Sequence, residues 1–162
     1  MEAILAETLS TASAELLALE SSAPVLVVSP ERDDFTALRR ILKESFWNLR
    51  VVHNLECALD ELKRHSAAIV ISERDLGPWS WHDLKNKLDD LSLRPEPRMI
   101  VACHGADEEL WADVLSRGCY DLLIKPFAEE EVSWTVGYAW EEWKRELQRT
   151  MGNRPQTLGA IA

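Results

Sequence analysis

Between residues 24 and 125 the apolar residues come in short, nearly unbroken runs: 25–28 (VLVV), 51–52, 67–71 (AAIVI), 99–103 (MIVAC) and 122–124 (LLI). Runs without polar alternation suit strands covered on both faces, the environment of a parallel sheet flanked by helices. Between and after them, residues 33–45, 55–64, 80–91, 107–117 and 128–148 have apolar positions at helical spacing. The order strand–helix, repeated five times, predicts an α/β fold: a doubly wound, five-stranded parallel sheet whose functional edge is the carboxyl end of the strands. Residues 1–22 place Ile4, Leu5, Leu9, Ala12, Leu16 and Leu17 at helical spacing among Glu2, Glu7 and Glu15, which predicts an additional N-terminal amphipathic helix. Residues 149–162 contain Gly152, Pro155 and Gly159 with little charge and are expected to be a flexible tail, leaving one domain over 23–148.

Composition narrows the function classes. A chain of 162 residues, 46% apolar and 28% charged, is that of a folded single domain. Its 18 Lys and Arg against 28 Asp and Glu give a net charge of -10, which repels nucleic-acid backbones and anionic membrane surfaces alike. Cys57, Cys103 and Cys119 form no even disulfide set and no CxxC pair, so they read as reduced thiols in a cytoplasmic setting. No apolar run approaches the roughly 20 residues that span a bilayer, and the acidic start lacks the basic residues of a signal peptide.

The commonest ligands of such a sheet are nucleotides, whose phosphates need glycines after the first strand. That turn is Ser29-Pro30-Glu31-Arg32, and neither GxGxxG nor GxxxxGK[ST] occurs anywhere. Cys103-His104 is no thiol dyad, because neighbours in an extended segment point to opposite faces. His53, His65 and His82 lack ligand spacing, so no metal site is expected.

Four segments in order do cohere. VLVVSPERD (25–33), AAIVISERDLG (67–77), MIVACHG (99–105) and SRGCYDLLIKPF (116–127) resemble the first, third, fourth and fifth strands of the response-regulator receiver domain with their following loops. The separations from Glu73 to Cys103 and from Cys103 to Lys125 match that family's spacing, and Lys125-Pro126-Phe127 is the most specific element. The resemblance implies a role in two-component phosphorelay signalling and a cis Lys125–Pro126 peptide bond. It also locates a phosphoacceptor site from which the chain departs almost everywhere. Ser29 and Pro30 stand where the family has two acidic Mg²⁺ ligands, leaving Glu31 as the carboxylate of that turn. Glu73 replaces the phosphoacceptor Asp, Cys103 the switch hydroxyl and Leu122 the switch aromatic, while Lys125 is kept. This pattern is that of a pseudo-receiver, which is not an enzyme, has no cofactor and is not expected to bind Mg²⁺. An alternative is a working phosphoacceptor that uses Glu73 or Asp75 with Glu31 and Lys125. Glu73 itself reads either as a charge mimic of the phosphorylated state, paired with Lys125, or as drift at a disused site.

A module without chemistry works through surfaces. At 100° per residue, Val132, Val136, Ala139, Trp140, Trp143 and Leu147 form the core face of the last helix, and Trp134 and Tyr138 fall on the opposite side. The pair is a candidate interface for a protein partner or for self-association, unless the N-terminal helix covers it. Trp79 and Trp81 are a second aromatic pair, with Trp81 equally suited to start the third helix facing the core.

Overall fold

The computed structural model describes residues 21–152 throughout, together with Ala14 and Ala18. Strands β1 (Ala23–Val28), β2 (Trp47–Val52), β3 (Ile69–Glu73), β6 (Arg98–Cys103) and β7 (Asp121–Ile124) form one parallel sheet in the order β2-β1-β3-β6-β7. Helices α1 (Arg32–Ile41), α2 (Leu55–Arg64), α3 (Trp81–Asp90), α4 (Glu108–Ser116) and α5 (Glu129–Gly152) cover its faces. Every residue of β1 and β3 is buried, as strands with neighbours on both sides and helices above and below must be.

Two apolar clusters lie on the two faces. Leu26, Val70, Val101 and Leu122 point to one, with α2, α3 and α4 over them through Leu62, Trp81, Leu84 and Val114. Val25, Ile69, Ile71, Ile100 and Leu123 point to the other, under Leu38 of α1 and Val132, Val136, Ala139, Trp140 and Trp143 of α5. The core face assigned to the last helix is thus the face that is buried, with Leu147 packed at its end.

Helix starts are set by local chemistry. Asn54 Oδ1 accepts from Cys57 N at 2.8 Å and Asp107 Oδ1 from Leu110 N at 2.8 Å, so α2 and α4 are capped by side chains. Ser80 and Asp83 form a capping box for α3. Arg98 fastens α5 to β6 through Glu146 at 2.5 Å and Glu142 at 3.5 Å.

Three features differ from the sequence reading. A two-stranded antiparallel hairpin, β4 (Asp75–Leu76) with β5 (Trp79–Ser80), stands between β3 and α3, turning at Gly77 with φ +73°. Strand β2 begins at Trp47, well before the apolar pair 51–52, because it is an edge strand with half-exposed positions. Helix α5 runs to Gly152, so residues 149–152 are helical rather than part of a tail; residues 153–162 lie outside the described residues. The predicted N-terminal helix also falls mostly outside them, although Ala14, Ala18 and Ser21 are helical and exposed. Among the described residues no helix is long and apolar enough to cross a membrane.

Candidate functional site

The loops after β1, β3, β6 and β7 meet at the carboxyl edge of the sheet. Parallel pairing of β3 with β6 and of β6 with β7 sets Glu73 beside Ala102 and Cys103 beside Ile124, and Lys125 N donates to Cys103 O at 2.7 Å. The Lys125–Pro126 bond is cis, and the Lys125 ammonium is directed at Glu73.

Lys125 Nζ donates to three carboxylates: Glu73 Oε2, Asp34 Oδ2 at 2.9 Å and Glu31 Oε2 at 3.2 Å. Lys125, Asp34 and Glu73 are buried, and Glu31 closes the cluster from the half-exposed side. An ammonium has three N–H donors and all three are engaged. Burial alone would lower the Lys125 pKa, but the hydrogen bonds to Glu73 and Asp34 outweigh it and hold the group charged, above the ordinary lysine value. Burial raises Glu73; Lys125 opposes that rise, and the like charge of Asp34 adds to it.

Asp34 is the site residue that sequence reasoning missed. Asp34 stands in the first turn of α1, whose N-cap is Glu31, beyond the turn 29–31 whose carboxylates the sequence reading weighs. The acidic pair Asp33-Asp34 at the start of a predicted helix is the signal that could have found it. The helix amino terminus favours its negative charge, and Ser29 Oγ donates to its Oδ2 at 2.8 Å. Ser29 Oγ also accepts from the Glu31 backbone N at 3.0 Å, so one hydroxyl orients the Asp34 carboxylate and fixes the backbone of the turn that carries Glu31.

The other expected site residues fall around this cluster. Pro30 is exposed and offers no polar side-chain atom; with Glu31, Glu73, Asp75, Cys103 and His104 it lines an open cavity of about 400 Å³. Cys103 is buried, its Sγ donates to Gly105 O at 3.2 Å, and burial pushes its pKa up, so it is a protonated thiol. His104 is solvent-exposed, just past the end of β6, and 3.7 Å from Glu31. Leu122 is in the core. Asp75 is exposed at the base of the hairpin, two residues past the strand end that carries Glu73.

In receiver domains this edge holds Mg²⁺, so the fit of these residues to that ion matters. Oxygens of Glu31, Asp34 and Glu73 lie within 4.8 Å of one another, a spacing that suits a cation. The Lys125 ammonium is at hydrogen-bond distance from all three, however, and Mg²⁺ needs oxygens at about 2.0–2.1 Å around one centre. Ion and ammonium cannot share that space, so the donor set does not fit Mg²⁺ while Lys125 keeps these contacts.

On the last helix, Trp134 and Tyr138 are 69% and 64% exposed, the two most exposed of the large apolar side chains among the described residues. Trp79 is also exposed, while Trp81 is buried under the first cluster and starts α3.

No family model matches the chain, and no curated protein matches it. Solved structures do. The signal receiver domain of a putative Luxo repressor protein from Vibrio parahaemolyticus superposes with a TM-score of 0.71 at 19% identity, over 77% of this chain and 95% of that one. That of an HD domain-containing protein from Pseudomonas fluorescens Pf-5 gives 0.71 at 22%, over 80% and 94%. A two-component response regulator from Clostridium difficile gives 0.67 at 18%, over 74% and 97%. The fold is therefore the receiver fold, a flavodoxin-like five-stranded α/β sheet.

Proposed function

We propose that the chain is a receiver-like module of two-component signalling that has lost phosphotransfer and acts by protein–protein contact in the cytoplasm. The observation that supports this reading is the saturation of Lys125. Its three N–H donors are directed at Glu31, Asp34 and Glu73, which leaves none for an incoming phosphoryl group. Glu73, longer than Asp by one methylene, brings its charge onto the ammonium, as the charge-mimic reading requires. Cys103 and Leu122 supply neither the hydroxyl nor the aromatic ring of a receiver switch. On this reading the protein is not an enzyme, uses no cofactor, and engages no nucleic acid or membrane. Its partner surface is Trp134 and Tyr138, for a protein partner or a second copy.

The experiment is incubation with Mg²⁺ and acetyl phosphate, followed by intact-mass measurement. The expected result is an unchanged mass. One observation favours the competing reading, a working phosphoacceptor with Glu73 or Asp75, Glu31 and Lys125: the three carboxylates are close enough to serve a cation. In that case a carboxylate oxygen would take the phosphoryl group from acetyl phosphate, release acetate, and add one phosphoryl mass. That gain would overturn the pseudo-receiver reading.

A further inference from the structure

The amino edge of the sheet carries a cavity of about 260 Å³ between the end of α2 and the approach to β6. Its floor is apolar, with Leu62, Pro97 and the Trp143 ring of α5, and its rim is cationic, with Lys63, Arg64 and Arg94 beside His65. In a chain of net charge -10 such a concentration of positive charge is unusual, and none of the four rim residues has an ion-pair partner among the described residues. Among the described residues the rim therefore presents uncompensated charge around an apolar floor.

We propose that the occupant of this cavity is the chain's own N-terminal segment, residues 1–20. The first argument is position. Ala68 N donates to Pro24 O at 3.0 Å, and Ala67, one residue away, lines the cavity, so the segment that precedes β1 leaves the fold beside it. The second is charge. Residues 1–20 contain Glu2, Glu7, Glu15 and Glu20 and no Lys, Arg or Asp, the complement of the rim. The third is pattern. Ala14, Ala18 and Ser21 are helical and exposed. These three fall on one side when 100° per residue is counted from Ala14, and a helix continued through the segment would put Leu5, Leu9, Leu16 and Leu19 at roughly 140–220°, on the opposite side, with Ile4 at roughly 80° and Leu17 at roughly 300° outside that stripe. Glu15 at roughly 100° and Glu20 at roughly 240° flank that leucine stripe, so the stripe matches the floor and the flanking carboxylates match the rim. The C-terminal residues 153–162, whose only charged side chain is Arg154, lack this complementarity.

Hydrogen exchange on the whole chain, read by mass spectrometry at low protein concentration, tests the proposal. Amides of residues 4–20 should exchange at least about tenfold more slowly than in a freely exposed segment, independently of protein concentration. Reversing the rim with Lys63→Glu, Arg64→Glu and Arg94→Glu should abolish that protection while leaving β1, β3 and β6 protected. Adding Glu15→Lys and Glu20→Lys should restore it. If the reversed rim prevents folding, the unaltered chain in about 1 M salt, where the Debye length is only about 3 Å, should lose protection over 4–20 alone. Absent protection in the unaltered chain overturns the proposal, as does protection that rises with concentration, which would mark a second copy as the occupant. Protection indifferent to both rim reversal and salt overturns it as well.

Discussion

Lys125 has three N–H bonds and three carboxylate partners, and this equality governs what substitution there should do. Removing one member of a buried charge cluster leaves the others uncompensated, at a cost of about 3–5 kcal/mol. Lys125→Met should lower stability by that amount near neutral pH, measured by urea unfolding. Glu73 has a folded-state pKa above the ordinary 4.5, so protonated Glu73 stabilises the fold below that value and the benefit is lost as pH rises through the higher folded value. The deficit of Lys125→Met should therefore shrink as pH falls through the weakly acidic range, and a deficit that ignores pH would show that Glu73 is not the group left unpaired. Lys125 behaves in the opposite region: its contribution is complete below 10.5 and is lost as pH climbs through its raised folded value. The thiols give an independent check. Burial pushes Cys119 up to about 11 and also raises Cys103, whereas Cys57 is exposed. A thiol reagent at neutral pH should label Cys57 alone in the native chain and all three cysteines in denaturant. Most of the site was legible at this scale, because Glu73, Cys103 and Lys125 sit at strand ends that apolar runs identify. Asp34 was not, because its contribution depends on the helix turning its side chain back toward the sheet edge.

The elements were legible where burial imposes a pattern and illegible where it does not. Strands β1, β3 and β6 are covered on both faces, and their sequences say so without interruption; α2 is bounded as its spacing predicts because Asn54 fixes its start. The β4–β5 hairpin has two residues per strand, too few to carry a period, so its signal was confined to the turn residues Gly77-Pro78. Gly77 lies at φ +73°, and a Cβ added there would meet nothing within 4 Å, so only backbone strain opposes a side chain. Gly77→Ala should cost about 1 kcal/mol, and Gly77→Asn less, by thermal melting. On α5 the helical arithmetic sorts the aromatics as the structure does, with Trp140 and Trp143 in the core and Trp134 and Tyr138 outside. Replacing both outer residues with Ala should change stability by no more than about 0.5 kcal/mol. On the proposed function it should also weaken self-association or partner capture, measured by sedimentation and pull-down; unaltered binding would move the search to Trp79.

At the scale of the whole molecule, the two apolar clusters share one sheet, and neither can lose its packing without exposing strands that the other needs. Unfolding should therefore be a single transition. Trp81 reports on one face and Trp140 with Trp143 on the other, and fluorescence of variants that keep only one set should give coincident urea curves. The carboxylate cluster adds a temporal asymmetry to that transition. Its partners are far apart along the chain: Lys125 is 94 residues from Glu31, 91 from Asp34 and 52 from Glu73. Their meeting needs β1, β3, β6 and β7 all in place, so the ammonium is expected to find its partners late in folding. Contacts made late are absent from the folding barrier and must be broken to leave the native state. Lys125→Met should therefore accelerate unfolding and leave the folding rate nearly unchanged, measured by stopped-flow in urea. The buried cluster around Lys125 should thus set how long the folded molecule lasts once it has formed.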